Sequence, residues 1–200
     1  MTEPFPMAPL REAKASGNRY LLGVDGLSRS GKTTWAENLS CLLNEEGLKA
    51  VTFHLDDHIT TRRERYHTSY SQWEEYYRLQ WNVQRLAKVL FQPLREASTI
   101  CLPYYDQDSD AHQWQTRSLE EADVVIVEGV FLQRDEWRGS FDQVVFLDCP
   151  RSVRFSRETD ITQQKRDKFE QRYWKAEDYY CRTCQPKLEA DLVIKGSHGC

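Results

Sequence analysis

The stretch that most constrains this chain is GLSRSGKTT, Gly26 to Thr34, directly after the apolar run YLLGVD. Gly26-Leu-Ser-Arg-Ser-Gly31-Lys32-Thr33 satisfies the spacing G-x-x-x-x-G-K-[ST] in full. A glycine-rich loop between a buried strand and a helix turns successive backbone N–H groups inward and offers the helix N-terminus, so it suits a phosphate. Gly26, Ser28, Ser30, Gly31, Lys32, Thr33 and Thr34 are therefore the candidate nucleotide-binding residues. Lys32 is expected to reach the β- and γ-phosphates and the Thr33 hydroxyl to ligate Mg²⁺. The alternative is a polar turn ahead of a helix. At ordinary glycine usage the full spacing arises by chance in a chain of this size on the order of 1% of the time, and strand, loop and helix also occur in the required order.

The rest of the chain bounds what surrounds that loop. With 200 residues, 40% hydrophobic and 29% charged, it reads as a globular α/β protein with a real core. Residues 1–18 read as a loosely held arm or short helix. Residues 19–200 read as one domain, with lid helices within 151–182. A net charge of −4 argues against binding a nucleic-acid backbone, which wants a basic surface. No apolar run approaches the roughly 18 residues of a membrane span, and the N-terminus lacks a signal pattern, so a cytoplasmic location is expected. The six cysteines do not suggest a disulfide scaffold. Cys181-x-x-Cys184, with His198 and Cys200, reads as a thiol pair rather than a zinc site.

Buried strands are expected at RYLLGVD, AVTFHLDD, ADVVIVEGVFL, FDQVVFLDCP and EADLVIKG. Helices are expected from Lys32 to Gly47 and, most strongly, within Ser69–Leu94, where Ser71 and Glu74 suit a capping box and Pro93 a stop. STICLPYY and QWQTRS are expected to pair as a hairpin around DQDSDAH. This alternation predicts a mostly parallel sheet covered on both faces.

Ligands in such sheets sit at the carboxyl ends of the strands. There the sequence places the loop, Asp56-Asp57 and Glu128. Phosphates, Mg²⁺ and a carboxylate to accept a hydroxyl proton are the requirements of phosphoryl transfer. Asp56-Asp57 also suits an N-cap, and Glu128 an ordinary strand-to-loop acid. Arg151, Arg154 and Arg157 share a helical face, with Arg166 beyond; the choice is between a lid closing on the transferring group and a solvated face. Trp73, Tyr76, Tyr77 and Trp81 read as core, with some of them free to line a cleft.

Taken together, GVDGLSRSGKTT, HLDDHI, YYD, VIVEG, the arginine helix and EADLVI resemble the uridine kinase family, from about Arg19 to Lys195. Nicotinamide riboside kinases, phosphoribulokinase and the bacterial pantothenate kinases are nearby branches. The resemblance implies a P-loop kinase fold: a mostly parallel five-stranded sheet between helices, with a helical lid. It implies ATP and Mg²⁺, and a small-molecule acceptor such as a nucleoside. Asp56 would be the general base, with Asp57 the second candidate. Thr33, Glu128 and Asp56 would stand on the metal side, and Lys32, Arg154, Arg157 and Arg166 would face the transferring group. Tyr105 and Asp106 match the family's YD beside the nucleoside. The chain departs from uridine kinases in DQDSDAH, where Asp110 or His112 stands for the family's histidine. It departs again ahead of the central helix, where Glu74 and Glu75 are the stand-ins for a ribose-holding acid. A nucleoside monophosphate kinase using Arg62, Arg63 and Arg65 is one rival. A nucleotide-dependent switch is another, although no NKxD motif marks a GTPase.

Overall fold

In the computed structural model, which describes residues 5–196, the apolar runs form one parallel sheet. β1 (Tyr20–Gly26) lies at its centre. β2 (Ala50–His54), β5 (Val124–Gly129), β6 (Gln143–Asp148) and β7 (Leu192–Lys195) complete the order β2-β5-β1-β6-β7. Every residue of β1 and β5 is buried, which is why both read as continuous apolar runs rather than alternating ones. β3 (Thr99–Asp106) and β4 (Ala111–Ser118) form the expected antiparallel hairpin apart from the sheet.

Alternation along the strands divides the core between the two faces. Leu21, Phe53, Val125 and Val127 pack with Trp81, Phe131 and Trp137 on one side. Leu22, Val24, Ile126 and Val145 pack on the other side with Leu39 and Leu43. Those two leucines come from α2 (Lys32–Glu45), the helix that follows the glycine-rich loop.

Of the two forms expected for the N-terminal arm, the short helix is found: α1 (Ala8–Ala15) buries Leu10 completely in the second core cluster. Lys14 Nζ donates to Gly47 O and pairs with Asp123 at 2.9 Å. One expectation is corrected: the central helix is not continuous. The Ser71–Glu74 capping box forms, but the helix passes into a π-helical turn at Glu75–Leu79 and restarts at Val83–Leu86. The break has a packing cause. Trp81 is 1% exposed and its indole donates to Leu55 O at 2.8 Å, while the Asn82 side chain accepts from Arg85 N and caps the second piece.

After β6, α3 (Arg151–Ser156) opens a run of short helices, Asp160–Gln163 and Arg166–Lys168. A π-helical turn at Phe169–Tyr173 leads from them into α4 (Trp174–Cys184). Gly129, at the end of β5, makes the second strand's exit possible. A Cβ there would lie 2.6–2.8 Å from Leu55 side-chain atoms, closer than such atoms pack, so the turn after β2 can cross only over glycine. Among the described residues no helix is long and apolar enough to span a membrane.

If α1 belongs to the core, Leu10→Ala should cost about 2–5 kcal/mol of stability, the range for truncating a buried leucine. Urea unfolding measures this, and a loss below about 0.5 kcal/mol, the scale of a surface substitution, would mean that the arm is not part of the fold.

Candidate active site

The loop has the form of an anion cradle. Gly31 caps α2 at φ +97°, a left-handed conformation that favours glycine. A Cβ on Gly26 would meet Ser30 Oγ at 2.6 Å and Leu147 O at 3.0 Å, so a side chain there would fill the cradle. Ser30 Oγ is buried with no protein partner. Lys32 is 8% exposed and its Nζ donates to Leu27 O at 3.2 Å, back across the loop. Burial pushes its ammonium pKa down, against the pull of Glu128, Asp56, Asp25 and Glu177. An orphaned hydroxyl, a buried cation and unpaired amides at the first turn of α2 fit a polyphosphate.

Asp25, wholly buried at the end of β1, fixes the loop's root. Its carboxylate accepts from Tyr180 Oη at 2.6 Å, Gln133 Nε2 at 2.9 Å and Gly26 N at 2.8 Å. Burial raises its pKa, and those hydrogen bonds oppose the rise.

The strand-end acids converge on the same cleft. Glu128 stands in register with Val24 of β1 and His54 of β2. Its Oε1 accepts from Thr33 Oγ1 at 3.0 Å and is 2.8 Å from His54 Nδ1. Thr33 and Glu128 thus form an oxygen donor set beside the cradle, of the hard type that Mg²⁺ takes. Asp56, in the turn Leu55–His58, lines the cleft with Lys32 and Glu128. It keeps an open side towards the cleft while protein crowds it elsewhere. That crowding raises its pKa first of all. Glu128 and Asp57 add to the rise, while Lys32 and His54 oppose it. Asp57 is not among the residues lining the cleft.

The arginines separate into different jobs. Arg154, expected to face the transferring group, is instead committed to structure. It is 4% exposed, makes a two-pronged pair with Glu177 at 2.9 Å for each contact, and donates to Ser28 O and Cys149 O. Glu177 also accepts from Ser28 N at 3.1 Å, so this buried pair holds one residue of the loop by both its amide and its carbonyl. Ser28 Oγ meets Tyr76 Oη at 3.3 Å. Arg166, likewise expected at the phosphates, is exposed, pairs with Glu170 at 2.9 Å and packs over Trp174, away from the cleft lining. Arg157 does line the cleft, donating to Arg29 O at 2.8 Å. Arg29 in turn grips Glu158 through two contacts at 2.9 and 3.0 Å.

The YD motif lies elsewhere. Tyr105 Oη donates to Asp110 at 2.8 Å beneath the Arg65 guanidinium, and Asp106 caps its own hairpin turn through Asp108 N and Ser109 N. Neither lines the cleft. Arg62 donates to Gln107 O in the hairpin turn, and the buried Arg65 donates to Thr60 O and Tyr105 Oη; Arg63 is exposed, and none of the three lines the cleft. Glu74 caps Ser71. Glu75 is buried against Arg172 and Thr68. Of the aromatic quartet, Tyr76 reaches the cleft, joined by Tyr173 and Phe169, which sequence reasoning did not single out. Trp73, Tyr77 and Trp81 pack in the core. Cys181 is exposed and Cys184 partly so; His198 and Cys200 lie outside the described residues.

The His54 contact makes stability depend on pH with a definite sign. The hydrogen bond to Glu128 raises the His54 pKa, so the folded state holds that proton more tightly than the unfolded chain. The stabilisation is complete below the ordinary histidine value, about 6.5, and is lost as pH rises through the raised folded value. The stability gap between the wild type and His54→Gln should therefore be wider near pH 5.5, about one unit below that ordinary value, than in alkaline solution. A gap independent of pH in urea unfolding would exclude the contact.

Comparison with known proteins agrees with this cleft. The model of the phosphoribulokinase/uridine kinase family matches residues 21–195. A uridine kinase from Leuconostoc citreum is 30% identical over 73% of this chain and 70% of its own, and one from Borrelia duttonii is 26% identical over 89% and 87%. Among solved structures, a possible uridine kinase from Bacillus stearothermophilus is 46% identical with a TM-score of 0.81, covering 94% of this chain and 95% of its own. Matched along nearly all of its described length, with the loop and the strand-end acids gathered at one cleft, the chain belongs to the phosphoribulokinase/uridine kinase family and is an ATP-dependent phosphotransferase acting on a hydroxyl.

Proposed function

We propose that this enzyme transfers the γ-phosphoryl group of ATP to a hydroxyl of a nucleoside or nucleoside-like alcohol, with Asp56 as the general base. The observation that carries the proposal is the placement of Asp56. It is a crowded carboxylate of raised pKa lining the same cleft as Lys32, Thr33 and Glu128. A base must sit within reach of the proton it takes and keep an affinity for that proton. The nucleoside class draws support from the relatives, which bear the name uridine kinase.

In this reading the loop amides and Lys32 hold the donor's phosphates and oppose the negative charge of the transferring group. Thr33 and Glu128 would hold Mg²⁺, which would supply further charge neutralisation there. The raised pKa of Asp56 lets it accept the acceptor's hydroxyl proton as the oxygen attacks, and Lys32 nearby steadies the carboxylate before the proton arrives. Tyr76 and Tyr173 give the acceptor an aromatic wall on the Asp56 side of the cleft. Arg157, at the rim beside Gly31, is the remaining lid arginine in position to meet phosphate charge.

Asp56→Asn should leave calorimetric ATP affinity near the wild-type value while lowering turnover at least about 10²-fold, the usual scale for a general base. The acid limb of the wild-type kcat/KM profile should lie above the ordinary aspartate range. If Asp57→Asn carries the loss and Asp56→Asn does not, the base is assigned wrongly.

A further inference from the structure

The cleft, about 1320 Å³ in volume, runs from the cradle in two directions. One end holds Asp56, Tyr76 and Tyr173. The other follows α2 past Trp35 and Asn38 to Leu42, and is bounded across the gap by Ile194 and Gly196 at the end of β7. Phe5, from the chain segment ahead of α1, belongs to this second end. Its ring meets Trp35 edge to face, centroids 5.8 Å apart and planes at 72°. Both rings are only partly buried, and Leu42 beside them is 44% exposed. Three apolar groups thus remain open to the cleft where a folded chain would ordinarily cover them.

Direction follows from the cradle. The reacting phosphoryl must lie between Lys32 and Asp56, so the remainder of the donor runs the opposite way, over the first turns of α2. That path leads to the Phe5–Trp35 corner. We propose that the N-terminal arm is a wall of the donor site, and that Phe5 together with Trp35 packs against the base of the donor nucleotide. This rests on the reading of the cradle as an ATP site. The arm is held for this purpose by the burial of Leu10 and by the Lys14–Asp123 pair. A flat heteroaromatic ring is the ligand such a corner fits, because edge and face contacts between rings are favourable and every base has a π-face.

Calorimetry with two probes tests it: magnesium ATP, which carries a base, and magnesium tripolyphosphate, which does not. Phe5→Ala should bind ATP about tenfold more weakly, within the range measured for losing one base–aromatic contact, with tripolyphosphate affinity unchanged. Phe5→Tyr, which keeps the ring, should bind ATP as the wild type does. Equal ATP affinity in Phe5→Ala and the wild type would overturn the proposal. So would an equal loss for both probes, which would place the effect on the phosphate loop, or a Phe5→Tyr variant as weak as Phe5→Ala. A wild-type protein that binds tripolyphosphate but gains nothing from the base would also overturn it. Failure of the wild type to bind either probe would instead remove the cradle reading beneath it.

Discussion

Parallel pairing of β5 with both β1 and β2 sets Glu128 level with Val24 on one side and His54 on the other. The chemistry of the cleft depends on that registration. One residue of slip would turn the Glu128 side chain to the opposite face of the sheet, away from Thr33 and from His54. The same register brings Gly129 beneath Leu55, where only the absence of a Cβ lets the turn carrying Asp56 cross. A single strand alignment therefore places Glu128 directly and the proposed base through the backbone beside it.

A second constraint ties the loop to α3 and α4. The Arg154–Glu177 pair is almost wholly excluded from solvent and grips the carbonyl and the amide of Ser28. Buried ion pairs add little net stability, because desolvating two charges offsets their attraction, but removing one partner is costly. The value of this pair lies in position: it makes the loop's path a property of α3 and α4. Asp25 does the same at the other root of the loop, through Tyr180 of α4 and Gln133 after β5. The cradle is thus braced from two sides by one helix, and Arg29–Glu158 adds a contact at its exposed tip.

What could be read from sequence follows from how local each signal is. The loop, the buried strands, the hairpin and the Ser71–Glu74 box are set by residues within a few positions of one another, and all were legible. Asp56 and Glu128 were legible because strand ends carry the chemistry in parallel sheets. Arg154 was not, since its three-residue spacing from Arg151 and Arg157 looks the same on a solvated face as on a lid; its partner Glu177 lies 23 residues on. His54 needed the knowledge that β2 neighbours β5. The break at Trp81 depended on Leu55 O, and the place of Phe5 on α1 docking against α2 and β1. Tyr105 and Asp106 matched a motif, but Asp110 and the hairpin turn claim their polar atoms.

Phosphorus NMR of the reaction products is the most direct test of a cleft built to carry phosphoryl to a hydroxyl. With ATP, Mg²⁺ and a nucleoside such as uridine, a phosphomonoester resonance should grow in step with ADP, and ADP formation should slow greatly when the nucleoside is left out. Release of ADP and inorganic phosphate at one rate, with or without any nucleoside in a panel, would contradict it.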